Sequence, residues 1–148
     1  MTRAYDESYL DDAMRNLGEA FDYAVDKLKL SLDEFSVLFI ESGLARQFGH
    51  GSPKYVAGMS GTELAMEVLT KTKKQTDFPE SVIDYEPSSD YWCGWILAFY
   101  QWYTGRSFEE IRHFISMSEI EKLYPTLHEA SEEKFVDTAE SIIKRKTS

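Results

Sequence analysis

The side chains of this chain with most chemistry to offer are His50, His113 and His128, the single cysteine Cys93, and Tyr55 and Arg106. An enzyme site would have to be assembled from the scattered pool of His50, His113, His128, Tyr55 and Arg106 together with a carboxylate. His128 and Glu132 lie four apart, so both can reach one metal from a single helix face. A metal asks for at least one more ligand, and His113 belongs to another element, so no metal site is expected. Cys93 sits among aromatic residues and reads as a small buried hydrophobe, not a nucleophile. Gly49-His50-Gly51 has the glycines of an anion-binding nest, but nothing else that holds phosphate follows. Gly58-Met59-Ser60-Gly61 lacks the spacing of a nucleophile elbow, and Ser60 is better used as a helix cap. No Walker loop or dinucleotide fingerprint is present. Glu109/Glu110 and Glu132/Glu133 are adjacent pairs, which point in different directions on a helix and suit a solvated face. The expectation is no catalytic residue and no cofactor.

The run from Trp92 to Arg106 is more informative. Trp92, Trp95, Phe99, Tyr100, Trp102 and Tyr103 crowd one helix. One reading makes them a core with hydrogen-bonded polar tips. The other brings some of them to the surface, where Trp, Tyr and Arg anchor interfaces. We take the second as the working expectation. It gives a protein-binding surface of Trp92, Tyr100, Trp102, Tyr103 and Arg106, joined by Arg46, Phe48, His50, Lys54 and Tyr55 from the glycine-rich loop at 46–59.

The elements that must hold these residues are helical. Leu10, Met14, Leu17, Phe21, Ala24 and Leu28 recur at intervals of three and four, which predicts a helix over about 9–29 capped by Ser8. Ser31 and Glu34 form a capping box that opens a helix over 32–42, closed by Gly43. Residues 44–48 add a helical turn. Ser60 and Glu63 form a second box, ahead of a helix over 61–73. Residues 75–88, with Pro79 and Pro87, read as a linker between sub-halves 1–74 and 89–148. Ser88 or Ser89 then caps an almost wholly apolar helix over 90–104, in which Gly94 and Ala98 form a small face that lets another helix approach closely. Gly105 ends it. Ser107/Glu110, Ser116/Glu119 and Thr126/Glu129 read as three more boxes. Phe135, Val136, Ala139, Ile142 and Ile143 mark the last helix. No segment alternates with period two, so the fold expected is all-α: one domain of six to eight helices around the aromatic one.

Length and charge narrow the functional classes. The chain has 148 residues, 43% of them hydrophobic, enough for one core. Sixteen basic against 26 acidic residues give a net charge of −10. Such a surface repels phosphate, so direct binding to nucleic acid or to an anionic membrane is disfavoured. Residues 42–74 are the exception, with two acids and five bases. No apolar run is long enough for a membrane helix, and the acidic opening residues do not resemble a secretory signal. With one cysteine, a cytoplasmic setting is expected.

Residues 42–48 (Ser-Gly-Leu-Ala-Arg-Gln-Phe), 53–61 (Pro-Lys-Tyr-Val-Ala-Gly-Met-Ser-Gly) and 91–108 (Tyr-Trp-Cys-Gly-Trp-Ile-Leu-Ala-Phe-Tyr-Gln-Trp-Tyr-Thr-Gly-Arg-Ser-Phe) resemble small bacterial proteins encoded beside ADP-ribosyltransferase-like toxin genes. The resemblance spans most of the chain. It implies an antitoxin or immunity-type role and names no catalytic residue. The function expected is a non-enzymatic module that binds and inhibits a partner protein. An enzyme built from the scattered pool is one alternative. The other is an acidic mimic of nucleic acid, with the first helix supplying most of its carboxylates.

Overall fold

The computed structural model describes residues 2–81 and 88–148. A 3-10 turn at Glu7–Tyr9 leads into α1 (Leu10–Asp26). Then come α2 (Leu32–Glu41), α3 (Leu44–Gly49), α4 (Pro53–Val56), α5 (Gly61–Lys73) and α6 (Ser89–Thr104). The chain continues through α7 (Phe108–Phe114), α8 (Met117–Lys122), α9 (Tyr124–Leu127) and α10 (Glu132–Thr147). The fold is all-α, and no strand occurs among the described residues. The described helices number ten because α4 and α9, four residues each, stand as separate turns.

Local chemistry sets most of the boundaries. Ser31/Glu34, Ser60/Glu63, Ser107/Glu110 and Ser116/Glu119 all make reciprocal capping boxes, each filling two of the backbone donors a helix start leaves open. Ser88 caps α6 by accepting from the Tyr91 amide. Gly43 and Gly105 take the left-handed conformation and end α2 and α6. Two expected caps are displaced. The Asp6 side chain, not Ser8, accepts at the chain's first turn, and α1 begins at Leu10 with no side-chain cap. Thr126 falls inside α9, where Pro125 sets the first turn, so α10 starts later on Ser131.

The core is organised around α1 packed on α6. The apolar stripe of α1, including Leu17, Phe21 and Ala24, is buried, as are Gly94 and Ala98 opposite it. Two aromatic groups extend this contact. Phe21, Phe35, Phe39, Phe48 and Phe108 form a chain of rings with centroids 4.9–6.3 Å apart. Trp92, Tyr100 and Tyr124 gather around α10 and α9, with Phe135 edge-on to both Trp92 and Tyr100. Burying a large apolar side chain stabilises the fold by about 1.5–3 kcal/mol. The two sub-halves share one hydrophobic core, which runs from Leu10 to Ile143. Of the expected linker, 82–87 lie outside the described residues. Residues 75–81 are non-helical and held to α1 by the Tyr23 hydroxyl, which donates to the Pro79 carbonyl.

Candidate functional site

The rings expected to face a partner are inside. Trp92 and Trp102 are 6% exposed, Tyr100 1%, Tyr55 6% and Phe48 0%. The reason is that most of α6 is covered by other elements. α1 lies on one flank and α8, α9 and α10 on another. Its C-terminal end is covered by residues 2–5, which lie across it as a strap. The Ala4 amide donates to the Trp102 carbonyl at 2.9 Å, and the Trp102 indole donates to the Tyr5 carbonyl at 2.8 Å. Tyr103 stays half-buried, with the Arg3 guanidinium 3.6 Å from its ring centroid. Arg106 turns inward too. Its guanidinium donates to the Tyr100 hydroxyl and to Glu140, and the Tyr100 hydroxyl donates to the other Glu140 oxygen. Of the ten expected contact residues, Arg46, His50 and Lys54 are exposed.

Arg46 and His50 border a groove of about 590 Å³. Its α3 bank carries Arg46, Gln47 and His50, and its α7 bank carries Glu109 and Glu110. Ile40 and Phe108 supply apolar wall, and Gln101 of α6 lies in the wall between the banks. The chain folds this way because Gly43 reverses direction after α2 while Gly105 does the same after α6, which sets two short helices side by side. Among the described residues no ion pair crosses the groove.

Gln101 is 2% exposed. Its Nε2 donates to the carbonyls of Gly49 at 3.1 Å and Arg106 at 3.0 Å, and its Oε1 accepts nothing. The two carbonyls fix the amide orientation, since a flip would set oxygen against oxygen. A buried acceptor left without a donor costs about 1–3 kcal/mol.

The scattered pool of groups is not brought together. His50 alone of the five lines the groove. Tyr55 is buried elsewhere, and Arg106 is held by Tyr100 and Glu140. His113 packs its ring on Phe114, and His128 stacks on Tyr124 with Nδ1 2.7 Å from the Tyr124 carbonyl. Among the described residues no group of three His, Cys, Asp or Glu side chains is placed to hold a metal ion. Cys93 is buried, and burial pushes its thiol well above the usual range. No described helix is long and apolar enough to cross a membrane. Four acids of α1 have partners of their own: Asp12 with Arg15, Glu19 with the Gly61 amide, Asp22 with the Ser88 hydroxyl and Asp26 with Lys27.

Sequence reasoning missed Gln101, Phe108 and Glu109. The available signal was Gln101 itself, an uncharged amide in the middle of an apolar run. Compared with known proteins, the chain matches no family model, no curated protein and no solved structure.

Proposed function

We propose that the protein is a cytoplasmic, non-enzymatic binding module of the antitoxin or immunity type, which engages one partner protein through the groove between α3 and α7. The observation that carries this reading is a groove with unlike banks: the Arg46 guanidinium on one, the Glu109 and Glu110 carboxylates on the other, and no ion pair across it among the described residues. Exposed charged groups of both signs on opposite banks can meet complementary charges of a partner. The segments that resemble toxin-linked proteins, 42–61 and 91–108, include much of the groove's lining.

The test is co-expression with the product of the neighbouring gene, followed by size exclusion of the pair. Co-elution is expected at micromolar concentration, weakened at least several-fold by Arg46→Glu and by Glu109→Lys. Both positions are exposed, so neither change should disturb folding. Separate elution of the unmutated pair overturns the reading.

A further inference from the structure

The non-helical strap of residues 2–5 holds α6 much as a separate peptide would. A helix C-terminus leaves carbonyls without helical partners, and the strap takes two of them. The Trp102 carbonyl accepts from the Ala4 amide at 2.9 Å, and the Tyr103 carbonyl from the Arg3 guanidinium at 2.9 Å. The Trp102 indole in turn donates to the Tyr5 carbonyl at 2.8 Å. The Ala4 and Tyr5 bonds use strap backbone, so an extended segment of another sequence can make them. The Arg3 guanidinium lies over an aromatic bed, 3.6 Å from the ring centroid of Tyr103 and 5.4 Å from that of Trp102. Glycines make room for the strap. A Cβ on Gly105 would stand 2.5 Å from the Thr2 carbonyl oxygen, and one on Gly51 would stand 2.5 Å from the Tyr5 Cβ. The fit has one defect: the Tyr5 hydroxyl is buried with no hydrogen-bond partner among the described residues, which weakens the strap's hold. We propose that the strap stands in for an extended segment of a partner protein, which displaces it and takes over Trp102 and Tyr103. The strap's own order sets the chemistry of that segment. It carries a cation for the Tyr103 ring, a small residue beside the Trp102 carbonyl, and then phenylalanine, which fills the place of Tyr5 without an orphaned hydroxyl. The same defect argues against the strap of a second copy as the occupant. The net charge of −10 draws a cationic segment toward the chain. The proposal rests on the partner-binding reading above for the kind of occupant, and it uses none of the charged groups on the groove's banks.

The experiment is NMR on the full, isotope-labelled chain. Solvent exchange of the Trp102 indole N–H reports lifting of the strap. It should run about tenfold or more faster than exchange of the core amide of Ala20, and stay level in low urea. Arg3→Glu takes the cation off Tyr103, and Ala4→Pro removes the amide donor to Trp102. Each should speed indole exchange about fivefold or more and leave the Ala20 amide unchanged, whereas Tyr5→Phe should slow the indole about as much. Acetyl-Thr-Arg-Ala-Phe-amide is then titrated. It should shift the indole signal saturably. Each strap variant should change the peptide's affinity by the factor by which it changes indole exchange, because only the open fraction binds. Indole exchange in step with Ala20 overturns the proposal. So does a peptide that leaves the indole signal of Arg3→Glu and Ala4→Pro unmoved. Equal binding of acetyl-Thr-Glu-Ala-Phe-amide overturns it too, since the rings then select no cation. A dimer that forms with rising concentration and protects the indole overturns it in favour of strap exchange between copies. The two readings fail separately. A peptide that does not bind leaves co-elution of the partner and its dependence on Arg46 and Glu109 untouched, whereas a partner that never co-elutes leaves peptide binding by the isolated chain untouched.

Discussion

A methyl group on Gly94 would stand 2.4 Å from the carbonyl oxygen of Leu17. The neighbouring Leu17 carbonyl carbon and the Phe21 ring would both be 2.9 Å away. Backbone cannot swing aside as a long side chain can, so α1 and α6 must separate to admit even one carbon. Gly94→Ala is expected to destabilise the fold by about 3 kcal/mol, the upper range for overpacking. Gly43 gives the contrast. It has open space around its α-carbon and a φ of +84°, so Gly43→Ala should cost only the left-handed strain, about 1–2 kcal/mol. Urea unfolding of both variants checks the pair, and equal losses would contradict the close-approach argument.

Arg106 and Glu140 are joined at 3.2 Å, and the Tyr100 hydroxyl bonds both. The network ties the α6–α7 turn to α10 across a half-buried position. Glu140→Ala leaves the Arg106 guanidinium and the Tyr100 hydroxyl each short of a partner, at a cost of about 1.5–3 kcal/mol. Tyr100→Phe combined with Glu140→Ala should cost less than the sum of the two changes, because each alone already breaks the Tyr100–Glu140 bond. A double-mutant cycle by thermal or urea unfolding measures this coupling, and strict additivity would show that Tyr100 and Glu140 act independently.

Capping boxes were legible because a helix start needs only serine and glutamate three residues apart, and four of the five expected ones formed. The small face of Gly94 and Ala98 was legible for a similar reason, since the spacing alone aligns them. The fate of the rings was not. Whether Trp102 is buried depends on residues 2–5, which have no periodicity and lie about a hundred positions away in sequence. The groove was equally hidden, because Ile40, Arg46, Gln101 and Glu109 come from four segments whose meeting no local pattern announces.

Asp90 lies near the start of α6, and burial pushes its carboxyl up to about 6, with further push from Glu121, Asp22 and Asp26. Its ordinary value is 3.8, so the folded form prefers the proton more than the unfolded chain does. Below that value both states are protonated and Asp90 has no effect. As pH rises toward 6 the unfolded state ionises first, and stability falls; above 6 the penalty is constant. Glu119 acts in the opposite direction, because its bond to Lys146 lowers its titration. Comparing Asp90→Asn with the unmutated chain isolates the first effect. The variant should gain stability at pH 7 and gain little near pH 4 when melting temperatures are followed across that range. A gain independent of pH would mean that Asp90 does not titrate in this window.

Cys93 offers a probe of whether α6 ever leaves its place in the core. Its side chain is 0% exposed, and burial, reinforced by Glu121 and Asp90, holds the thiol in its protonated form. Only the thiolate attacks a disulfide reagent, so burial should make the native thiol inert in two ways, by denying access and by opposing ionisation. Reaction with an aromatic disulfide should therefore follow opening of the fold, with a rate that climbs with urea in parallel with global unfolding. Gly94→Ala strains the contact between α1 and α6 and leaves the thiol itself untouched. The logarithm of its reaction rate should rise in proportion to the stability lost. Fast labelling of the unmutated chain without urea would mean that α6 frays as a local unit, and that the packing of α1 on α6 is weaker than its geometry implies.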